Sequence, residues 1–161
     1  MNNNQRIIVG IDGSDYSPAA LRLAGRMASA LNAPLEVITC LGWSDFYLPS
    51  HLPPGNLEAT GQLEAIAKRL MNEAVERAYG QDRPKNLSTA VKAGSPAKVL
   101  VDESRDAQLL VVGRRGHGGL LGQLMGSVSA ACSAHAHCPV LVVGQDDDLA
   151  SSDPEPHKSK S

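Results

Sequence analysis

The chain has 161 residues, a formal net charge of −2 and only 3% aromatic residues. That is enough for one domain whose core is built of Val, Leu, Ile and Ala, an α/β sandwich in preference to an aromatic-rich barrel. The stretch from Gly144 to Ser161 carries Asp146, Asp147, Asp148, Asp153 and Glu155 against Lys158 and Lys160 and sums to −3, so the body is about +1, which gives no electrostatic case for a nucleic-acid surface.

No apolar run approaches the roughly 20 residues that a membrane helix needs. The N-terminal MNNNQR lacks the apolar centre of a signal peptide. Three cysteines, an odd number, argue against a disulfide framework and for a reducing cytoplasm.

In chain order, Arg6 to Ile11 reads as a first buried strand, with Ile7-Ile8-Val9 at its centre. It ends in Gly10-Ile11-Asp12-Gly13-Ser14, which leaves Asp12 at the strand's C-terminal tip. Ser17-Pro18 reads as a helix start, Ser17 as N-cap and Pro18 at the first helical position. Leu21, Ala24, Ala28 and Leu31 share one face of that helix, and Asn32-Ala33-Pro34 ends it. Leu35 to Leu41 is the second strand. Gly42 to Pro54 has no periodicity, holds the lone Trp and Phe, and reads as a loop covering part of a site.

Leu57 to Tyr79 is a long amphipathic helix with Leu63, Ile66, Leu70, Ala74 and Ala78 spaced for one face. Leu87 to Val91 is a short third strand, and Ser95-Pro96 opens a third helix reaching about Arg105. A continuous apolar run, Leu109 to Val112, is the fourth strand. Glycines follow at 113, 116, 118, 119, 122 and 126. Gly126-Ser127 then opens a helix of small residues, and Pro139 leads into the last strand, Val140 to Val143. Strands alternating with helices imply a parallel sheet covered on both faces. In such sheets ligands bind beyond the C-terminal strand ends, where the strand order reverses.

The glycine segment carries the chemistry. Glycines permit backbone angles and close approaches that other residues refuse, a helix N-terminus offers unpaired N–H groups and a positive dipole end, and Ser127 and Ser129 add hydroxyls. Strand, glycine loop and helix N-terminus together suit a phosphate. The segment is no Walker loop, because no Lys-[Ser/Thr] follows the glycines, and it lacks the dinucleotide G-x-G-x-x-G spacing.

Gly113-Arg114-Arg115-Gly116, nine residues and then Gly126-Ser127 match G-x2-G-x9-G-[S/T]. With Ile8 to Ser14, Gly94 to Ala97 and His135 to Val143, this pattern resembles the ATP-binding universal stress proteins over roughly residues 5 to 144. The resemblance implies an open five-stranded parallel sheet of order 3-2-1-4-5 with helices on both faces, Rossmann-like, filling a domain of residues 1–144. A disordered charged tail, 145–161, would follow. It also implies a homodimer paired through the last strand, Pro139 to Val143.

The ligand so implied is ATP, with or without Mg²⁺. Gly10 and Asp12 are expected beside the adenosine, the Leu41 backbone at the adenine edge, and Val112 and Gly113 under the ribose. Arg115 and Gly116 are expected to face the phosphates, with Gly126, Ser127, Val128 and Ser129 cradling them through amides and hydroxyls.

Plainer roles compete at several positions. Asp12 serves equally as a turn residue or as a partner of the nucleotide or its metal. His117, in the glycine loop, reads as a solvent-facing residue rather than a catalyst. Cys132, His135, His137 and Cys138 have ligand chemistry, but they run across a helix end, a turn and a strand start, so no metal site is expected. Trp43, Phe46 and Tyr47 read as a loop folding onto its own domain. No positioned general base or arginine finger is legible. The expected function is therefore an ATP-binding regulatory, stress-response module without committed catalysis, acting on an unknown regulatory partner. The alternatives are a slow ATPase or adenylate-handling enzyme on the same scaffold, and a nucleotide-free dimeric interaction protein.

Overall fold

A computed structural model of the chain describes residues 5–13, 16–41, 57–114 and 125–145, without the side chains of 57–60. The elements run β1 (Arg6–Gly10), α1 (Ser17–Leu31), β2 (Leu35–Leu41), α2 (Leu57–Tyr79), β3 (Leu87–Ala93), α3 (Pro96–Glu103), a 3-10 turn (Ser104–Asp106), β4 (Ala107–Gly113), α4 (Ser127–His135) and β5 (Val140–Val143). The five strands form one parallel sheet in the order β3-β2-β1-β4-β5, as the resemblance implies. The aromatic stretch 42–54 and the tail from Asp146 lie outside the described residues.

Strands buried on both faces need apolar residues at every position, and β1 supplies them. Ile7 and Val9 pack with α1 and α2, while Ile8 packs on the opposite face with Leu100 of α3 and Cys132 of α4. From β1 the chain steps outward through β2 and β3, then jumps back across β1 to β4 and β5. Right-handed crossovers put helices on opposite faces when the direction of stepping reverses. The two clusters show this, with α1 and α2 on one side and α3 and α4 on the other. The reversal leaves a crevice at the C-terminal ends of β1 and β4.

Local chemistry sets the helix ends, with one departure. Tyr16, not Ser17, occupies the N-cap of α1 and accepts from the Ala20 amide at 3.0 Å. Ser17 is instead the first helical residue, and its buried hydroxyl donates to Asp12 Oδ1 at 3.4 Å. α1 ends where Asn32 takes a left-handed conformation (φ 48°), which a short polar side chain tolerates better than most.

The helix faces also differ from expectation. Leu31 is 48% exposed, and on α2 the buried row is Ala67, Met71 and Val75 while Ile66 and Leu70 stand at the surface. The cause is the α1–α2 contact. Tyr79 lies over Gly25, where a Cβ would come within 2.7 Å of its ring, and its hydroxyl donates to the Leu21 carbonyl. That contact turns inward the row that Tyr79 continues at four-residue spacing, Ala67, Met71 and Val75.

The end of the sheet away from the crevice is closed by charge. Arg6 pairs with Glu36 and with Glu103 (2.8 Å), and Lys92 reaches the other Glu103 oxygen at 3.0 Å. Burial alone would raise the Glu103 carboxyl, but hydrogen bonds from Arg6 and Lys92 hold it below the usual carboxylate range.

Candidate functional site

Three adjacent strands end together at the C-terminal edge. The Ile11 amide donates to the Ile38 carbonyl at 3.0 Å, carrying β1 one residue past its last pair and delivering Asp12 and Gly13 to the rim. Gly13 has φ 77°, a turn that favours glycine. Asp12 is exposed and takes the Ser17 hydroxyl. Beside it, β4 ends at Gly113, and on the other flank β2 ends at Leu41. Gly10, Asp12, Leu41, Val112 and Gly113 therefore share one edge of the sheet.

Two of these positions have structural partners that the sequence did not announce. Gly10 faces α3, where a Cβ would meet Leu100 Cδ1 at 2.7 Å, so its lack of a side chain makes room for that helix. The Leu41 carbonyl accepts from the Gly94 amide at 3.1 Å, which leaves one lone pair for any further donor. Val112 is 3% exposed and packs with α3 and α4, so only its backbone can face a ligand.

The fourth component is the N-terminus of α4. Arg114 continues β4, its amide donating to the Val143 carbonyl at 2.8 Å. Its own carbonyl accepts from the Gly126 amide at 2.7 Å and from Ser129 Oγ at 2.7 Å. Gly126, Ser127, Val128 and Ser129 are thus tied to the end of β4. Gly126 is the N-cap, with φ −64° and ψ 160°, and Ala130 N–H closes onto its carbonyl at 3.0 Å. The amides of Ser127, Val128 and Ser129 have no acceptor among the described residues, as expected of a first helical turn. Ser127 is exposed, whereas Ser129 is buried. The Ser129 hydroxyl, expected to face the phosphates, is directed to the Arg114 carbonyl instead. Arg115, Gly116 and His117 lie outside the described residues.

Among the described residues no group of three or more His, Cys, Asp or Glu is gathered to hold a metal. Burial, with Cys138 nearby, pushes the Cys132 thiol up to about 11. The His137 amide donates to the buried Ser104 hydroxyl at 2.9 Å. Both are packing arrangements. No helix among the described residues is long and apolar enough to cross a membrane.

A model of the universal stress protein family matches residues 3–144. The chain belongs to that family. It is 34% identical over 152 residues to universal stress protein Rv2623 of Mycobacterium tuberculosis, covering 92% of this chain and 50% of that one. The chain thus spans about half the length of the curated relatives it matches. Among solved structures of the family, UspA from Lactobacillus plantarum aligns with a TM-score of 0.70 at 27% identity, over 86% of this chain and 97% of that one. A universal stress protein crystallised in complex with cAMP aligns with a TM-score of 0.57 at 29% identity, over 88% and 98% of the two chains.

Proposed function

We propose that this universal stress protein binds an adenine nucleotide, ATP with or without Mg²⁺, at the C-terminal edge of its sheet and acts as a regulatory module without committed catalysis. The observation that carries this is the gathering of the β2, β1 and β4 ends beside an α4 N-terminus whose first amides point at no described acceptor. The crystallised relative with cAMP supports an adenine nucleotide as ligand class.

In this reading the base lies toward Leu41, the ribose over Val112 and Gly113, and Asp12 holds the nucleoside or its metal. The phosphates run along Arg115 and Gly116, past Gly126, to the amides of Ser127, Val128 and Ser129. Amides and a dipole bind anions, and this reading gives Asp12 and Arg114 no catalytic role, so hydrolysis is slow if it occurs. The protein works in the cytoplasm as a homodimer through Pro139 to Val143, whose apolar edge needs a partner. Light scattering at micromolar concentration tests that pairing.

Native mass spectrometry of freshly purified protein tests the ligand, with a retained adenine-nucleotide mass and thermal stabilisation by added ATP expected. An empty protein that neither ATP nor cAMP stabilises points to a nucleotide-free interaction protein. Sustained phosphate release at several turnovers per minute points to an enzyme.

A further inference from the structure

Serine near a helix N-terminus has an ordinary use, bonding back to a carbonyl three or four residues earlier. Ser129 has that option, since its Oγ lies 3.0 Å from the Gly126 carbonyl. Its shorter contact, 2.7 Å, is to the carbonyl of Arg114, fifteen residues back and on a different element. A hydroxyl has one proton, and distance assigns it mainly to Arg114. The same carbonyl takes the Gly126 amide at 2.7 Å, while the Arg114 amide is held by Val143 of β5 at 2.8 Å. The start of α4 is therefore bonded to Arg114, the residue whose own amide is anchored in the sheet. Ser129 is 1% exposed, so its side chain faces this junction and not the rim.

We propose that the Ser129 side chain is a positioning group: its hydroxyl clamps the α4 N-terminus to the end of β4 and does not itself touch the ligand. The clamp sets the height of the Ser127, Val128 and Ser129 amides above the strand ends. It also divides the two serines by role. Ser127, at the surface, is the hydroxyl available to an anion, and Ser129 holds the turn that presents it. The clamp stands on the geometry alone. Its effect on affinity rests on the nucleotide reading above.

The experiment compares the full chain with its Ser129→Ala and Ser127→Ala variants, by amide hydrogen exchange and by calorimetric titration with ATP. Ser129→Ala should speed exchange of the Gly126 amide about five- to tenfold, the equivalent of losing one neutral hydrogen bond. In the same variant Val111, in mid-sheet, should follow only global stability. Ser127→Ala should leave Gly126 exchange unchanged. ATP should weaken by a similar factor in Ser129→Ala. Gly126 exchange unchanged in Ser129→Ala overturns the clamp. Weakened ATP beside unchanged exchange makes the hydroxyl a ligand contact, and also overturns it. Faster Gly126 exchange in a protein that does not bind ATP upholds the clamp and defeats the nucleotide reading instead. Should Ser129→Ala not fold, Ser129→Cys keeps the volume with a far weaker donor and supports the same comparison.

Discussion

Gly10 separates a packing role from a binding role. The resemblance assigns it to the adenosine, but the fold places it against α3. In Gly10→Ala the new methyl would stand 2.7 Å from Leu100 Cδ1 and 3.2 Å from Cδ2. Leu100 is 3% exposed and packed among Ile8, Ile38, Leu110 and Val112, so it has little room to swing aside. Inserting a methyl group into such a core costs about 1–3 kcal/mol. Replacing glycine by alanine in a strand returns about 0.5–1 kcal/mol.

The net loss should be about 1–2 kcal/mol, a fall in melting temperature of about 2–8 °C for a domain of this size. Leu100→Ala alone should cost about 2–5 kcal/mol. In that background, where the clash is gone, Gly10→Ala should cost nothing or stabilise, a coupling of about 1–3 kcal/mol. Urea denaturation of all four proteins measures the cycle. Additivity within about 0.5 kcal/mol would refute the contact. A Gly10→Ala protein of full stability that has lost ATP tenfold would return the residue to the nucleotide.

Tyr79→Phe should lose the bond to the Leu21 carbonyl and lower stability by about 1 kcal/mol. Burial raises the Tyr79 hydroxyl, so its contribution is complete below the unfolded value of about 10 and is lost as pH rises above it; the variant should show a flatter alkaline decline in denaturation midpoint. Arg6→Gln should cost about 1–2 kcal/mol at neutral pH by stranding Glu36 and leaving Glu103 to Lys92 alone. Because the folded Glu103 value is lowered, its stabilisation is present above the unfolded value and lost as pH falls through the folded one; the variant's acid unfolding, followed by circular dichroism, should begin at higher pH. Arg115→Ala should weaken ATP by about 10- to 150-fold and AMP far less, if its guanidinium meets the outer phosphates. Calorimetry with both ligands decides it, equal losses marking a residue that only supports the loop.

Legibility followed the kind of signal. Strand β2, helix α2 and strand β5 have the bounds their composition announces, because Pro34, Pro139 and the change from period 3.6 to a continuous apolar run punctuate them. Strand β3 runs to Ala93, two residues past Val91, since pairing with Leu41 of β2 continues it where side-chain pattern does not. The face expected for α2 holds in its last turns, where Ala74 and Ala78 pack against the core, and fails at Ile66 and Leu70, because two adjacent rows are apolar, Leu63-Ile66-Leu70 and Ala67-Met71-Val75, and periodicity cannot choose between them. Tyr79 on Gly25 chooses. Strand order came from the resemblance, since nothing in the residues of β1 and β4 marks them as neighbours. At the site, side-chain identities were readable at Asp12 and Ser127. The Arg114 carbonyl was not, because every residue has one and only the fold decides which is shared.

The location of the nucleotide is tested most directly by titrating ATP into the ¹⁵N-labelled chain and following its amide resonances. Binding at the C-terminal edge predicts saturable shifts concentrated at Ile11 to Gly13, Leu41, Gly113, Arg114 and Gly126 to Ser129. Amides at the opposite edge, at Arg6, Asn86 and Ala107, should stay in place. No shifts at millimolar ATP, or shifts centred on that opposite edge, would contradict it.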